Sequence, residues 1–181
     1  MAGLDESLPF LPLRIAILTV SDTRTPADDR SGDTLQGFAD RAGHSLAGRA
    51  IVRDDIAAIR ARITGWIAEG AVDVIIATGG TGLTGRDVTV EAVRPLFDKE
   101  IDGFSVVFHQ ISFGTVGTST LQSRACAGLV GSTYVFCLPG STGAVKDAWT
   151  GILQYQLDSR HRPCNLAEIL PRLEEHKARP A

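Results

Sequence analysis

Short apolar runs alternate along this chain with longer stretches whose apolar residues recur at helical spacing. Arg14 to Val20 (RIAILTV), Ala50-Ile51-Val52, Val74-Ile75-Ile76-Ala77 and Tyr134 to Leu138 (YVFCL) are too short for helices and rich in β-branched residues. Such near-continuous apolar runs predict strands buried on both faces of a parallel sheet. Between them, Leu35, Phe38, Ala39 and Ala42 predict a helix closed by Gly43, after a polar loop from Thr25 to Asp33. Ile56, Ile59, Ile63, Trp66 and Ile67 form one apolar stripe, with Asp54 or Asp55 placed as its N-cap and Gly70 at its end. Val90, Val93 and Phe97 support a further helix that Pro95 ends or kinks. Ile101 to Phe113 and Leu121 to Val130 are also read as helical, and Ala144 to Leu157 carries the cleanest amphipathic pattern. Alternating strands and helices predict an α/β layered architecture with a mostly parallel sheet.

The ends of the chain differ from its middle. Residues 1 to 12 read as a loose N-terminal arm, with Pro9 and Pro12 barring regular structure and Leu8, Phe10 and Leu11 available to pack, on a neighbouring subunit for example. Residues 13 to 181 read as a single domain. From about residue 160 it becomes a tail with one short helical stretch, Leu166 to Leu173, and a charged end.

Each predicted strand runs into a polar cluster: Ser21-Asp22, Asp54-Asp55, Thr78-Gly79-Gly80-Thr81-Gly82 with Asp87 nearby, and Pro139-Gly140-Ser141. In an open parallel sheet, ligands sit outside the carboxyl ends of the strands, so these four clusters are expected to share one crevice. The glycines let backbone approach a ligand without Cβ atoms in the way. Ser141 or Thr142, opening a helix, offers free N–H groups and the positive end of a dipole to a phosphate. Carboxylates at Asp54 and Asp87 suit Mg²⁺, which takes one or two carboxylates, waters and phosphate oxygens.

Two familiar motifs fail here. Gly80-Thr81-Gly82-Leu83-Thr84-Gly85 fits the dinucleotide fingerprint in letters, yet no helix opens on it and no second strand ends in an acid about twenty residues later. A phosphate-binding P-loop needs Lys-Ser/Thr after its last glycine, where this chain has Arg86-Asp87. No histidine falls at any of the strand ends, which argues against acyl transfer by a Ser/His or Cys/His pair. A reaction whose nucleophile is already an anion needs alignment and charge neutralisation instead, and phosphoryl or nucleotidyl transfer is such a reaction.

Composition narrows the setting. A net charge of −3 with interspersed signs shows no basic face for nucleic acid. No apolar run approaches the length of a membrane span, and the start of the chain lacks the basic end and apolar run of a signal peptide. Cys126, Cys137 and Cys164 lack metal-ligand spacing and are odd in number, which fits a reducing cytoplasm. A cytoplasmic protein is expected.

Several ordered motifs carry a family resemblance. Thr78-Gly79-Gly80-Thr81-Gly82, Gly85-Arg86-Asp87-Val88-Thr89, Ser21-Asp22 and Leu138-Pro139-Gly140-Ser141 resemble the molybdopterin-binding (MoaB/MogA) family of molybdenum cofactor biosynthesis. Gly117 to Arg124 (GTSTLQSR) and Gln156 to Asn165 (QLDSRHRPCN) look like its MoaB branch. The resemblance spans roughly residues 13 to 166. It implies a three-layer α/β/α fold, assembly as a homo-oligomeric trimer or hexamer, and a site for molybdopterin. It further implies adenylylation of molybdopterin by ATP with Mg²⁺, releasing pyrophosphate. Asp54 and Asp87 match the family's catalytic, metal-associated aspartates. Ser21, Asp22, the Thr78–Gly82 loop, Ser123, Arg124, Pro139, Gly140 and Ser141 match its substrate-binding positions. The alternative implied by the same resemblance is a module that holds molybdopterin or a nucleotide without turning it over.

Overall fold

Four parallel strands end at one rim, and their register sets that alignment. The computed structural model describes residues 3–175. Residues 1–2 and 176–181, with His176 and the charged end, lie outside the described residues.

In chain order the elements are β1 (Gly3–Leu4), β2 (Arg14–Val20), α1 (Arg30–Ala42), β3 (Ser45–Val52), α2 (Ile56–Ala68) and β4 (Val74–Thr78). Then come α3 (Thr89–Val93), β5 (Lys99–Glu100), α4 (Asp102–Val116), β6 (Cys126–Val130), β7 (Thr133–Leu138) and α5 (Thr142–Ala148). A π-turn (Trp149–Leu153) joins α5 to α6 (Gln154–Gln156), and β8 (His161–Arg162) and α7 (Leu166–Ile169) finish the described chain.

The main sheet has six strands in the order β3-β2-β4-β7-β6-β5. β3, β2, β4 and β7 run parallel; β6 is antiparallel to β7, and β5, antiparallel to β6, runs the same way as the other four. Thr19 pairs with Thr78, Thr78 with Leu138, and Val20 with Val52, so the four parallel strands terminate level with one another. The two-residue period of a strand sends Ile15 and Ile17 into one face and Ala16, Leu18 and Val20 into the other. The first face packs on α1, α4 and α5 through Leu35, Phe104, Phe108, Val145 and Trp149. The second packs on α2 and α3 through Ile59, Ile63, Trp66, Val90 and Val93. The result is the expected α/β/α arrangement with a largely parallel sheet, and each fully buried aliphatic side chain stabilises it by about 1.5–3 kcal/mol. Both tryptophans are core residues. Among the described residues no helix is long and apolar enough to cross a membrane.

Four expectations are corrected. The stretch read as a helix from Leu121 to Val130 is instead a 3₁₀ turn (Gly117–Gln122) followed by strand β6. Gly131 at φ 60° turns the chain back so that β6 pairs antiparallel with β7, and this pairing overrides the helix-forming Ala and Leu. β3 begins five residues earlier than its apolar end suggests, because it is an edge strand whose first half faces solvent. α1 starts at Arg30, inside the stretch read as a loop, because Asp29 caps it by accepting from Gly32 N–H at 3.0 Å. The arm expected to be loose is tied to its own chain. β1 pairs with β8, Ser159 Oγ accepts from Leu11 N–H and donates to the Pro9 carbonyl, and Phe10 packs on His44. The tail thus begins with the strand that anchors the arm.

Candidate functional site

Three carboxylates gather at the rim, and each has a different set of partners. Asp55 accepts from Ala58 N–H at 2.8 Å and is the N-cap of α2, which leaves its neighbour Asp54 free of that duty. Asp54 Oδ1 is shielded from solvent and has no hydrogen-bond partner among the described residues. It faces the glycine loop: a Cβ built on Gly80 would fall 2.4 Å from Asp54 Oδ1 and 2.4 Å from Thr89 Oγ1. Burial raises the Asp54 pKa above the usual carboxylate range, and repulsion from Asp22 and Asp87 adds to this while Arg86 opposes it. The three acids therefore share one electrostatic neighbourhood.

Asp87 is engaged differently. Its Oδ2 accepts from Thr84 N–H at 2.9 Å and from Thr84 Oγ at 2.6 Å, closing the turn after the glycine loop. The Thr84 hydroxyl is the main reason its carboxyl is held below the usual range. α3 has no side-chain cap at all, so Asp87 braces the loop rather than that helix. Asp22, at the end of β2, is ion-paired with the exposed Arg86.

The glycine loop is fixed by its neighbours. Gly79, at φ 103°, has no room for a side chain, since a Cβ would lie 2.2 Å from the Val20 carbonyl oxygen. Thr89 donates from N–H to the Gly80 carbonyl at 2.9 Å and from Oγ1 to the Gly79 carbonyl at 2.8 Å. Thr78 Oγ1 donates to the Pro139 carbonyl at 3.0 Å, and a Cβ on Gly140 would reach within 3.1 Å of Gly79 Cα, so the Pro139–Gly140 turn abuts the loop. Arg124 clamps the far side: Nε donates to the Gly82 carbonyl at 2.9 Å and Nη2 to the Asp87 carbonyl at 3.0 Å. Thr81 O accepts from Arg124 N–H at 3.0 Å, and the guanidinium is also ion-paired with Glu91. Arg124 is a positioning residue in this structure.

Ser21, Asp22, Asp54, Thr78–Gly82, Asp87, Arg124, Pro139 and Gly140 are thus brought to one rim. Two serines are occupied by local structure. Ser21 Oγ accepts from Thr23 and Arg24 N–H, and Ser141 Oγ caps α5 by accepting from Ala144 N–H at 3.1 Å. Ser123 is set apart. Its buried Oγ has no partner among the described residues, and it lines a cavity of about 450 Å³ with Glu91, Arg94, His109 and Arg124. Beside the rim, a hollow of about 610 Å³ opens between the Ser21–Pro26 segment and the outer edge of β3, with Arg24, Arg49 and Arg53 in its lining.

Sequence reasoning missed the residues that hold this side of the rim. Arg24 Nη2 and Ser31 Oγ both donate to the Gly140 carbonyl, at 3.3 and 2.8 Å. Behind them, fully buried Asp29 accepts from Thr19 Oγ1 at 2.8 Å and from Arg49 at 2.9 Å. Burial opposes the charge on Asp29, but Arg49, the Gly32 N–H and Thr19 together keep its pKa below the usual value. The N-cap preference for Asp ahead of the Leu35 stripe was the available signal. Thr89 closes the Gly85–Thr89 motif, and nothing in the sequence points to its role in holding the loop.

Among the described residues no three His, Cys, Asp or Glu side chains are grouped as metal ligands. A divalent ion at this rim would therefore take one or two carboxylates and complete its shell from water and substrate oxygens, as Mg²⁺ does. The orphaned Asp54 Oδ1 fits that requirement.

Residues 16–159 match the family described as a probable molybdopterin binding domain. The chain is 52% identical over 159 residues to molybdenum cofactor biosynthesis protein B of Escherichia coli K12, covering 88% of this chain and 94% of that protein. It is 47% identical to the protein of the same name from Staphylococcus carnosus, covering 81% and 87%. Among solved structures, a molybdenum cofactor biosynthesis protein B superposes with a TM-score of 0.82 at 38% identity, covering 91% of this chain and 98% of that one. The tungsten cofactor synthesizing protein MoaB from Pyrococcus furiosus does so with 0.75 at 32% identity, covering 90% and 97%.

Proposed function

We propose, from the premise that this chain belongs to the molybdopterin-binding domain family, that it binds molybdopterin and adenylylates it with ATP and Mg²⁺, releasing pyrophosphate. The names of the similar proteins support a place in cofactor biosynthesis. The observation that carries the finer reading is Asp54 Oδ1, a shielded carboxylate oxygen without a partner beside two further acids and a glycine loop.

In this reading Asp54 and Asp87 hold the cation, whose chemistry is to neutralise charge building on the phosphates. The chain's own groups do the rest. Gly79 and Gly80 let the loop close on the Val20 carbonyl, Asp54 and Thr89, which fixes the main-chain atoms beside which the phosphate chain lies in this reading. N–H groups where α5 opens, after Ser141, favour an anion. Arg24 and Arg53 face the neighbouring hollow and offset the negative charge of a nucleotide. Thr89 and Arg124 keep the loop from shifting, which matters because misplacing a reacting group by about 1 Å costs on the order of a hundredfold in rate. Homo-oligomeric assembly and a cytoplasmic location belong to the same proposal.

A second reading, ligand binding without turnover, is favoured by the engagement of two of the three acids: Asp22 with Arg86 and Asp87 with Thr84. Purified protein incubated with molybdopterin, ATP and Mg²⁺ separates the two. Adenylyl-molybdopterin and stoichiometric pyrophosphate support the enzyme, and their loss in Asp54→Asn and Asp87→Asn variants supports the two assignments. Calorimetric binding of molybdopterin with no pyrophosphate would leave the binding module.

A further inference from the structure

Two cysteines that the proposed chemistry does not use face each other across the sheet. Cys126, the first residue of β6, is the direct antiparallel partner of Cys137 in β7. Both are free thiols, 2% and 0% exposed, and both point into the core face packed on α2 and α3. Directly opposed residues of an antiparallel pair have Cα atoms about 4.5 or 5.5 Å apart, depending on whether the pair is hydrogen-bonded. Either spacing falls inside the range a disulfide spans, roughly 4.4–6.8 Å.

We propose that Cys126 and Cys137 are an oxidative modification site, a cross-strand dithiol that closes to an intramolecular disulfide with a small peroxide as oxidant. The Cys126 sulfur attacks one peroxide oxygen. An S–O bond forms, the O–O bond breaks, and the departing hydroxide takes the Cys126 proton to leave as water. Cys137 then displaces the oxygen from Cys126: the S–S bond forms, the S–O bond breaks, and that hydroxide takes the Cys137 proton and leaves as a second water. Two thiols lose two electrons, and peroxide gains them.

The two positions are not equivalent. The Cys137 thiol, turned to Cys126, holds Cys126 below the ordinary thiol range, and Arg94 and Arg124 reinforce this against burial and Glu100. The neighbouring Cys126 thiol and full enclosure push the Cys137 pKa up. Cys126, 2% exposed and following cavity-lining Ala125, is the attacking sulfur, and the wholly enclosed Cys137 is the resolving one. The cavity of about 450 Å³ lined by Arg94, Ser123, Arg124 and Ala125 ends one residue before Cys126 in the chain, and in this proposal the oxidant enters from that side. An uncharged oxidant close to water in size suits that route. The exposed Cys164 is a separate thiol.

The test uses the full chain carrying Cys164→Ser. Folded protein treated with hydrogen peroxide is expected to lose the mass of two hydrogens, regain it on reduction with dithiothreitol, and yield a single peptide pair linking Cys126 to Cys137. With Cys137→Ser added, dimedone is expected to trap a sulfenic acid at Cys126. Peptide mapping of the Cys164→Ser protein alone decides the matter if that second variant does not fold. The proposal is overturned if the folded protein keeps its mass under conditions in which a urea-unfolded sample closes the bond, or if the only linkage found joins two chains.

Discussion

Asp54 and Gly80 occupy each other's space: the carboxylate Oδ1 stands 2.4 Å from where a Cβ on residue 80 would be. The glycine's φ of 61° compounds the restriction, because an L-residue pays about 1–2 kcal/mol to adopt left-handed backbone. Gly80→Ala is therefore expected to lower stability by about 2 kcal/mol or more in urea unfolding and to displace Asp54, weakening ligand binding beyond what the stability loss explains. An alanine variant as stable as the parent would show that the loop has slack.

Asp54 also makes a pH prediction. Its folded pKa is raised by burial first and then by Asp22 and Asp87, so folding favours its protonated form. The stability this contributes is fully present below the unfolded pKa and is lost as pH rises through the folded value. At pH 7 the ionised carboxylate is a liability, and Asp54→Asn should unfold at a higher urea concentration than the parent. The gap should shrink as pH falls into the ordinary carboxylate range. Millimolar Mg²⁺ should stabilise the parent more than the variant.

Asp29 works with the opposite sign. Arg49, Gly32 and Thr19 outweigh burial and depress its pKa, so its contribution is present above the unfolded pKa and lost as pH falls through the folded one. Its side chain is fully buried while Arg49 is about a quarter exposed. Asp29→Ala should cost about 3 kcal/mol at pH 7, toward the lower end for a broken buried pair because Arg49 retains some water. Equal denaturation midpoints at pH 7 would contradict this.

Arg124 reaches three carbonyl oxygens of the loop as well as Glu91. Lysine keeps the charge but not the planar fork, so Arg124→Lys should lose about 1.5–3 kcal/mol, the scale of a charged hydrogen bond in a partly buried site. Glu91→Gln, which spares the carbonyl contacts, should lose well under half of that. A double-variant cycle in urea checks both.

The strands that position the rim were legible because buried parallel strands advertise themselves as apolar runs: Val74–Ala77 and Arg14–Val20 stand where that pattern puts them. β3 was half-hidden because an edge strand needs no second apolar face. β6 was hidden because Ala127 and Leu129 extend a helical pattern; Cys126-Ala127-Gly128-Leu129-Val130 becomes a strand by pairing with β7 across the tight Gly131-Ser132 turn, and that Gly-Ser pair was the sequence signal for a hairpin. Around the rim, glycines and acids after strands were readable as a class. Arg24 and Ser31 were not, because their partner Gly140 lies far off in sequence, and Asp29 was readable only as a helix cap, not as the partner of Arg49. Which of Asp54 and Asp55 would cap α2 was undecided by sequence, and one side-chain geometry resolved it.

The reversed ribbon at β6 has a topological effect. Every other loop at this lip leaves a strand, but Arg124 arrives there ahead of one, two residues before Cys126. Had β6 run the same way as its neighbours, its five residues, at about 3.3 Å each, would have delivered that arginine roughly 17 Å away on the opposite border. Flipping a single segment thus gives the polypeptide an extra visit to the place where its acids meet, and the visit brings a cation.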